Sequence, residues 1–564
     1  MPSKKKWKIL SDTKVESEKS NAALIEVLLQ NRGIESAKDR EAFLDGQLKD
    51  VTIKSVGIDK KHLDKTVKRI QKAIEAQEKI VVFGDYDVDG ITGSAILWET
   101  LHELGANALP YIPNRLDEGY GLSIRGIDNI TAPDAKTNDV SLVITVDNGI
   151  VANEQVAYAK EKGLDVIITD HHTVGEALPD AYAIVHTTKL CGAGVAYLLA
   201  QELVNIIASE EKQAAYTRAD RHLELAALGT VADLVPLTGA NRIIVREGLK
   251  RLQDSDRAGL LALFDQAGIK QDEISVYDIG FKIGPRLNAA GRLESAMDSL
   301  RLLCTPSGIR AGELAIKLEV TNRERQQIMK ESAEDAILRI KSLDTVKPIL
   351  VIGQESYAEG VIGLIAGKLV EEFYRPAIVL SIGPERSKAS VRSINGFNVI
   401  EFLRLHSEYF INVGGHPMAA GFTVETAKLQ ALKEALEMAA EEMMEEELFI
   451  RELKIDCELP FSVLSRELYA SLQQLSPFGM GNPEPVFATK AVKVENIRVL
   501  GKEANHLKLT VSKDGATFDA IAFGMGELAA DLSVDDEIDL AYTLDENTWR
   551  DETKLQLKVR DIQV

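Results

Sequence analysis

Three short apolar runs, each ending in polar residues, constrain the fold of this chain more than any other feature. They read KIVVFGD (79–85), LVITVDNG (142–149) and DVIITDHH (165–172), and AYAIVH (181–186) has a similar form. Apolar runs without alternation are typical of strands that are buried on both faces of a parallel sheet. Because helical stretches separate the runs, the pattern predicts a doubly wound α/β domain. Such sheets place their sites at the carboxyl ends of the strands, where the polar residues fall.

The same reading divides the chain into five segments. We expect a helical, charged N-terminal lead-in over 1–75, followed by the α/β domain with an added helical part over 76–307. Residues 308–345 contain no proline and predict one long connecting helix. A second α/β pattern occupies 346–447, and short alternating runs over 448–564 predict a β-barrel or sandwich.

Composition excludes several classes of protein. The 45% hydrophobic and 27% charged residues exclude a largely disordered or fibrous chain, and no apolar run reaches the ~18 residues of a membrane-spanning helix. A polar stretch follows the basic N-terminus, where a signal peptide would be apolar. We therefore expect a soluble, cytoplasmic protein. The net charge of −21 argues against nucleic-acid binding by the whole surface, but it permits a local basic groove.

The motif GDYDVDG (84–90) is the strongest chemical signal. Asp85, Asp87 and Asp89 lie within five residues, just past a buried strand, and their mutual repulsion is costly unless a cation offsets it. An Asx-rich turn is the alternative reading. A calcium loop of the EF-hand type would need helices on both sides, whereas a strand precedes this motif.

Further acidic and imidazole groups follow the other strands. Asp147 lies in VDNG, Asp170, His171 and His172 lie in DHH, and Asp233 lies in GTVADLVP. Each aspartate alone is also compatible with a helix cap. Together they suit two divalent cations, Mn²⁺ or Mg²⁺, which can activate water for phosphoryl displacement. The three widely spaced cysteines disfavour a structural zinc site.

These motifs resemble those of the DHH phosphoesterase superfamily. LCGAGVA (190–196) also resembles this superfamily. The later motifs PRLNAAGRL (285–293), GGHPMAAGF (414–422) and LSPFGMGNPEP (475–485) narrow the resemblance to the bacterial single-stranded-DNA-specific 5′→3′ exonucleases, over the whole chain. The resemblance implies two α/β domains, DHH and DHH-associated, joined by the long helix around a catalytic cleft. It also implies a C-terminal β-barrel of the OB type. The implied activity is hydrolysis to 5′-mononucleotides in DNA repair and recombination.

The resemblance also implies roles for individual residues. The implied metal ligands are Asp85, Asp87, Asp147, His171 and Asp233, with Asp147 as the bridging carboxylate. Asp89 and Asp170 would bind the metal or support its ligands, and His172 would contact the scissile phosphate or transfer a proton. His416 completes the catalytic set from the second α/β domain.

A second group of residues is expected to hold DNA phosphates. Paired glycines allow a phosphate to approach the backbone closely, and an Arg fork can bind a terminal phosphate through two hydrogen bonds. The expected group comprises Arg115, Arg286, Arg292, Ser390, Arg392, Ser393, Gly414, Gly415 and His416. The resemblance further implies a monomer that acts on single-stranded DNA, with single-strand-binding protein and a helicase as partners.

Two other functions are compatible with parts of the pattern. A DHH phosphodiesterase of short oligonucleotides or cyclic dinucleotides shares the metal motifs, but it typically lacks the connecting helix and the β-domain. A non-catalytic scaffold would have lost metal carboxylates, and none is lost here. The loop IVHTTKLCGAG (184–194) is shorter than in many relatives, which leaves the local contacts beside the site open.

Overall fold

The computed structural model describes residues 5–13, 21–115, 117–211, 213, 221–550 and 552–564. Two compact units emerge from its internal contacts. Unit I comprises Glu35–Arg323 with Leu475–Glu484, and unit II comprises Met1–Ile34, Glu324–Gln474 and Pro485–Val564.

The strands are, in chain order, β1 Lys6–Ile9, β2 Lys79–Phe83, β3 Asn107–Tyr111, β4 Val140–Val146, β5 Asp165–Asp170, β6 Ala183–His186, β7 Leu350–Gln354, β8 Ala377–Ser381, β9 Arg386–Arg392, β10 Phe410–His416, β11 Ala419–Glu425, β12 Glu452–Ile455, β13 Cys457–Glu458, β14 Phe487–Leu500, β15 His506–Lys513, β16 Ala516–Ala522, β17 Glu537–Trp549 and β18 Glu552–Gln563.

The α-helices that the structure describes are α1 Asn21–Asn31, α2 Ala37–Asp45, α3 Ile53–Val56, α4 Lys60–Glu75, α5 Val88–Glu103, α6 Ile124–Thr131, α7 Asn153–Glu161, α8 Gly192–Ile207, α9 Leu223–Ala232, α10 Gly239–Gln253, α11 Ala258–Ala267, α12 Val276–Asp278, α13 Gly284–Leu293, α14 Met297–Cys304, α15 Gly308–Lys341, α16 Ile362–Phe373, α17 Val399–Arg404, α18 Leu429–Met443 and α19 Arg466–Leu472. A π-helical turn, Ile279–Ile283, joins α12 to α13.

A five-stranded parallel sheet forms the centre of unit I, in the order β3-β2-β4-β5-β6, and confirms the α/β prediction. Successive residues of β2 point to opposite faces, as strand geometry requires. Ile80 and Val82 pack into a core that includes α5 and α8, whereas Val81 and Phe83 pack into a second core with α6 and α7. Burial on both faces explains why the strands read as continuous apolar runs.

Residues 475–484 belong to unit I although they are distant from it in sequence. The Leu237 N–H donates to the Met480 carbonyl at 2.7 Å. The buried Arg242 guanidinium donates to the carbonyls of Leu475 at 2.7 Å and Phe43 at 2.9 Å. The LSPFGMGNPEP motif is therefore anchored on the helices that follow Asp233.

Unit II contains a second α/β sheet, in the order β10-β11-β9-β8-β7. Its β7 and β8 are parallel, and the other neighbours are antiparallel. The 34-residue helix α15 confirms that the segment after residue 308 forms one long helix, and the division between the two units falls within it.

A closed barrel follows, which resolves the choice between barrel and sandwich. Its strands run β14-β15-β16-β18-β17, and β17 pairs back with β14. Leu507, Leu509 and Val511 of β15 alternate into its core with no exposed surface.

The N-terminal lead-in contains the expected helices, α1 to α4, but it begins with a strand that we did not expect. Four of its residues form strand β1, which pairs in parallel with β12, and the Trp7 indole N–H donates to Asp561 at 2.7 Å. The partners lie more than 400 residues away, so the local pattern of KWKI gives no sign of this pairing. In the described ranges, no helix is long and apolar enough to cross a membrane.

Candidate metal centre

The carboxyl edge of the parallel sheet collects the acidic residues that follow its strands. Asp85 comes just after β2, Asp147 follows β4, and Asp170 ends β5, and these strands are neighbours. All three side chains are buried. Asp233 joins them as the C-terminal cap of α9. The fold therefore gathers carboxylates that lie up to 148 residues apart in sequence.

The acidic loop between β2 and α5 is fixed by helix capping. Asp87 is the N-cap of α5, and its carboxylate accepts a hydrogen bond from the Gly90 N–H at 3.0 Å. Asp89 accepts from the N–H groups of Gly192 at 2.6 Å and Ala193 at 2.8 Å, at the start of α8. An acidic side chain at a helix N-terminus satisfies N–H groups that the helix leaves unpaired. The LCGAGVA motif thus holds Asp89 in place.

Asp147 lies in the left-handed backbone region with a φ of 63°, which is uncommon for a residue other than glycine. Its own N–H donates to the Thr169 carbonyl at 3.0 Å, which keeps the turn tied to β5. A Cβ atom at Gly192 would lie 2.5 Å from the Asp147 Cβ. Only glycine at position 192 therefore lets α8 approach this carboxylate so closely.

His171 lies at the middle of the cluster. Its Nε2 atom is 3.1 Å from Asp147 Oδ1, 3.5 Å from Asp233 Oδ2 and 3.8 Å from Asp89 Oδ2. Potential ligand atoms form three groups, each within 4.8 Å: Asp85, Asp87 and Asp147; Asp147, His171 and His172; and Asp89, His171 and Asp233. Asp147 belongs to the first two groups and His171 to the last two.

Several of these buried atoms have no hydrogen-bond partner among the described residues. They are both carboxylate oxygens of Asp85, Oδ1 of Asp147, Oδ2 of Asp233 and Nε2 of His171. Leaving a buried polar atom unpaired costs on the order of 1–3 kcal/mol. A donor set dominated by carboxylates suits Mg²⁺ and Mn²⁺. The residues present therefore fit divalent cations of this kind.

Burial and mutual repulsion raise the pKa of the clustered carboxyls. Desolvation, followed by the charge of Asp87, raises the pKa of Asp85 well above its ordinary value. Desolvation and the charge of Asp89 do the same to the pKa of Asp147, and they raise the pKa of Asp233 to about 9. A divalent cation would favour the ionised forms instead.

Asp170 distinguishes the two adjacent histidines. Its Oδ1 accepts from the N–H groups of His171 and His172 and lies 2.8 Å from His172 Nδ1. Burial alone would raise the pKa of Asp170, but the hydrogen bond with His172 lowers it. Burial opposes the charge on His172, yet the same hydrogen bond raises its pKa, whereas burial lowers the pKa of His171. His171 is thus suited to offer a lone pair, and His172 to hold a proton.

Two supporting residues were not singled out by the sequence analysis. Asn288 Oδ1 accepts from the Val88 N–H at 3.0 Å, at the first residue of α5. A Cβ at Gly291 would lie 2.7 Å from the Tyr86 carbonyl oxygen, so α13 packs directly against the acidic loop. The PRLNAAGRL motif, which we interpreted through its arginines, also positions the carboxylates through Asn288 and Gly291.

Tyr120 is a third such residue. Its hydroxyl donates to the Asp147 carbonyl at 3.1 Å and lies 3.3 Å from His172 Nε2. The sequence signal for Tyr120 was its place in PNRLDEGYG, the motif that also contains Arg115. Nothing in the local sequence indicates that its ring reaches the strand ends.

The three predicted phosphate-binding arginines have different surroundings. The Arg115 guanidinium lies 5.1 Å from the centre of the Tyr86 ring, and Arg292 is close enough to Tyr86 to act on its hydroxyl electrostatically. Arg286 donates instead to Glu319 at 2.7 Å. Arg115 and Arg292 are therefore brought to the acidic loop, and Arg286 is engaged in an ion pair.

All but one of the predicted phosphate-binding residues of unit II lie on β9 and β10, which both pair in antiparallel with β11, and Ser393 directly follows β9. Across the three strands, His416 is opposite Ala419, which is opposite Arg392. Two residues further along, Gly414 is opposite Gly421, which is opposite Ser390, and this second set lies on the same face. Directly opposed residues share a face of a sheet, so this face presents a cation and polar groups around small residues.

Two other residues of this set, Gly415 in β10 and Ser393 after β9, help to shape the backbone. A Cβ at Gly415, whose φ is 147°, would lie 2.5 Å from Ala419 O. The buried Ser393 hydroxyl donates to the Phe397 carbonyl at 2.7 Å.

Family models match three parts of the chain. The DHH family N-terminal domain matches residues 79–230, the DHHA1 domain matches 346–445, and the RecJ OB domain matches 455–561. These ranges cover the parallel sheet of unit I, the mixed sheet of unit II and the closed barrel.

Known exonucleases are similar in sequence to nearly the whole chain. The single-stranded-DNA-specific exonuclease RecJ of Bacillus subtilis is 37% identical over 552 residues, which are 96% of this chain and 68% of that protein. The RecJ exonuclease of Salmonella typhimurium is 32% identical, over 96% of this chain and 95% of the relative. The crystal structure of Thermus thermophilus RecJ in complex with Mn²⁺ superposes with a TM-score of 0.82 at 29% identity and covers 99% of this chain and 79% of that one. From its fold, its acidic cluster and these relatives, the chain belongs to the RecJ family of DHH-superfamily exonucleases.

Proposed function

We propose that this chain degrades single-stranded DNA from the 5′ end and releases 5′-mononucleotides with the help of two divalent cations. The observation that supports this most is that Asp147 belongs to two groups of potential ligand atoms, each within 4.8 Å. Two cations bridged by one carboxylate can stabilise both the attacking and the leaving oxygen of an in-line phosphoryl displacement.

The cation-binding residues in this proposal are Asp85, Asp87, Asp147, His171 and Asp233. When Mn²⁺ or Mg²⁺ is bound there, it supplies Lewis acidity to a phosphate oxygen and makes water a stronger nucleophile at neutral pH. Asp89 and Asp170 act as positioning residues, because their oxygens accept backbone N–H groups. Their role is to hold α8 and the DHH segment against the cluster.

His172 is assigned to proton transfer or to the scissile phosphate. Its Nδ1 is held by Asp170, so Nε2, on the side of Tyr120, is the atom that meets the substrate. The hydrogen bond to Asp170 raises the pKa of His172 and so favours its protonated form. Tyr120 orients the ring through its hydroxyl.

The phosphate grip in unit II is assigned to Ser390, Arg392, Gly414, Gly415 and His416. A guanidinium, an imidazole and a hydroxyl on one sheet face supply charge-assisted hydrogen bonds. Gly414 leaves open space on that face, and Gly415 allows the close approach of the backbone to Ala419. Removing such a donor lowers the rate without removing the cations.

The 5′ phosphate is assigned to Arg115 and Arg292, which lie at the acidic loop. Arg286 is assigned a smaller contribution to binding the 5′ phosphate, because the phosphate would have to compete with Glu319 for its guanidinium. An Arg fork matches a terminal phosphate in two hydrogen bonds, which a lysine cannot do.

The cellular setting follows from this substrate. Single strands arise in DNA repair and recombination, where a helicase opens duplexes and single-strand-binding protein covers the product. We assign both as partners, the protein as a monomer and the cytoplasm as its compartment. The OB-type barrel is assigned to binding the strand.

The test is digestion of 5′-labelled and 3′-labelled single strands and of blunt duplex, with Mn²⁺, with Mg²⁺ and with EDTA. We expect mononucleotides from the 5′-labelled end of single strands at early times, no digestion of duplex, and no activity in EDTA. Release of 3′ label first would contradict the polarity. Activity confined to dinucleotides or cyclic dinucleotides would favour a DHH phosphodiesterase of short substrates instead.

A further inference from the structure

Four titratable side chains meet inside unit I, at the ends of α5 and α9 that are remote from the metal centre. We call them the remote cluster, and its members are Glu99, His222, Glu224 and Arg257. His222 Nε2 lies 2.8 Å from Glu99 Oε2. The Arg257 guanidinium donates to both oxygens of Glu99, at 2.7 and 3.1 Å, and to Glu224 at 3.2 Å. Neither the metal centre nor the phosphate grip uses any of these groups.

The remote cluster is buried, so its charges depend on one another. His222 has no exposed surface, and Glu224 is 6% exposed. Burial would raise the pKa of Glu99, but the hydrogen bonds with His222 and Arg257 lower it to about 2. A buried ion pair adds little net stability compared with apolar residues of similar size, because both charges lose their hydration. A geometric role therefore explains the cluster better than a contribution to stability does.

The cluster ties the start of α9 to α5. Glu99 lies near the C-terminus of α5, whereas His222 is the N-cap of α9 and Glu224 is in its first turn. The backbone of His222 is in the left-handed region, with a φ of 68°, and its side chain does not cap the helix. A residue other than glycine is kept in that region by its surroundings, and here the imidazole is bound to Glu99. The start of α9 is thus fixed by α5 rather than by a side-chain cap of its own.

The opposite ends of the same two helices present carboxylates to the metal centre. Asp89 is in the first turn of α5, and Asp233 ends α9. The helices touch there, because a Cβ at Gly229 of α9 would lie 2.6 Å from Asp89 Oδ1. Together with His171, the two aspartates form one of the groups of potential ligand atoms within 4.8 Å. A displacement of α9 along α5 would therefore change the spacing of this group.

We propose that the remote cluster fixes the position of α9 along α5 and so sets the spacing of Asp89 and Asp233 at the metal centre. Its members are positioning residues, which touch neither the substrate nor a cation. Packed helices can shift by about 1–2 Å relative to one another when their contacts change. The planar fork of Arg257 resists such a shift, because it holds a carboxylate of each helix at once.

The proposal rests on the proposed two-cation site and deepens it. At a rise of about 1.5 Å per residue, Glu99 lies about 15 Å along α5 from Asp89. Cation affinity would thus depend on side chains well outside the metal centre.

The test compares the full-length wild type with Glu99→Gln, which removes a charge at nearly constant size, and with Arg257→Lys, which keeps the charge and removes the fork. Glu78→Gln is the matched control. Glu78 pairs with the buried Arg69 at 2.7 Å and directly precedes β2, at the edge of the sheet opposite to the metal centre. Urea unfolding measures stability, calorimetry measures Mn²⁺ affinity, and electron paramagnetic resonance reports the coupling of the bound Mn²⁺ ions.

We expect Glu99→Gln to weaken Mn²⁺ binding about two- to thirtyfold and to alter the spin coupling, and Arg257→Lys to do the same to a smaller extent. The double variant should lose less affinity than the product of the two single losses, because both changes break the same cluster. High Mn²⁺ should restore part of the turnover on single strands. Glu78→Gln should lower stability without changing Mn²⁺ affinity or coupling.

Wild-type Mn²⁺ affinity and coupling in folded Glu99→Gln and Arg257→Lys, or an equal loss in Glu78→Gln, would overturn the positioning role. If Glu99→Gln does not fold, the comparison of Arg257→Lys with Glu78→Gln decides by the same criterion. A wild-type protein that binds two Mn²⁺ ions without hydrolysing single strands would contradict the exonuclease assignment. A loss of Mn²⁺ affinity confined to the cluster variants would support the positioning role in that case too.

Discussion

At the scale of single residues, the buried carboxyls differ in what satisfies them. Asp89 and Asp170 accept backbone N–H groups, and such bonds stabilise the charged form. Asp85 has no hydrogen-bond partner for either oxygen among the described residues. The fold therefore holds the first kind of aspartate through backbone hydrogen bonds, whereas a bound cation would offset the charge of the second kind.

The pH dependence of stability should show what an ionised Asp233 costs the folded chain when no cation is bound. Its pKa of about 9 in the folded chain lies above the ordinary 3.8, so its stabilising effect is complete below pH ~4 and is lost as pH rises towards 9. Between these limits, metal-free wild type should lose at most about 1.4 kcal/mol per pH unit relative to Asp233→Asn. Urea unfolding in EDTA at pH 5, 7 and 9 measures the difference.

Mn²⁺ should reverse this trend, since it displaces the proton and stabilises the folded chain more at high pH. Asp180→Asn, which changes an exposed carboxylate paired with Lys160, is the control and should show no such effect. Parallel pH curves for wild type and Asp233→Asn would contradict the account.

At the scale of secondary-structure elements, helix ends build the centre. The N-terminus of α5 presents Asp87, the N-terminus of α8 holds Asp89, and the C-terminus of α9 presents Asp233. Helix α13 then locks the loop before α5 through Asn288. The geometry of the cluster therefore depends on how these helices pack.

Asn288→Ala should weaken the centre without touching a proposed ligand. The buried Val88 N–H would lose its acceptor, which costs about 1–3 kcal/mol. We expect weaker Mn²⁺ binding by calorimetry and lower turnover, with partial recovery at high Mn²⁺. Asn205→Ala, at an exposed position near the C-terminus of α8 in the same unit, is the matched control. Unchanged Mn²⁺ affinity in Asn288→Ala would show that α13 does not position the acidic loop.

The parallel sheet, the acidic loop and the DHH segment could be predicted from sequence because each is a local pattern of apolar runs followed by polar residues. The roles of Asn288 and of residues 475–484 could not, since their contacts join segments about 200 residues or more apart. The same reason explains the strand β1, whose partner β12 lies near the other end of the chain. The sequence predicts that Arg286 binds a phosphate, and only the fold reveals that its guanidinium already donates to Glu319.

At the scale of the whole molecule, the two units have separate cores. The cores of unit I pack around the parallel sheet that presents the carboxylates, and those of unit II pack around the sheet that presents His416. With a net charge of −21, the chain must rely on a few local cations to bind a strand. Loss of one such group should therefore affect turnover strongly while leaving cation binding unchanged.

His416→Ala tests this separation. We expect turnover to fall about 10²–10³-fold, as for the loss of one donor to a developing charge, with unchanged Mn²⁺ stoichiometry. Lys428→Ala, which removes an exposed cation elsewhere in unit II, should have little effect. Loss of bound Mn²⁺ in His416→Ala would place this histidine in the metal centre and contradict its role in the phosphate grip.

A Mn²⁺ titration of wild type and Asp147→Asn, followed by calorimetry and by electron paramagnetic resonance, tests whether Asp147 is shared by two cation sites. We predict two Mn²⁺ ions per wild-type chain with spectra of coupled spins. In Asp147→Asn we predict loss of the coupling and of at least one ion, no measurable hydrolysis, and an unchanged circular dichroism spectrum. A variant that still binds two coupled ions and hydrolyses single strands at the wild-type rate would contradict the account.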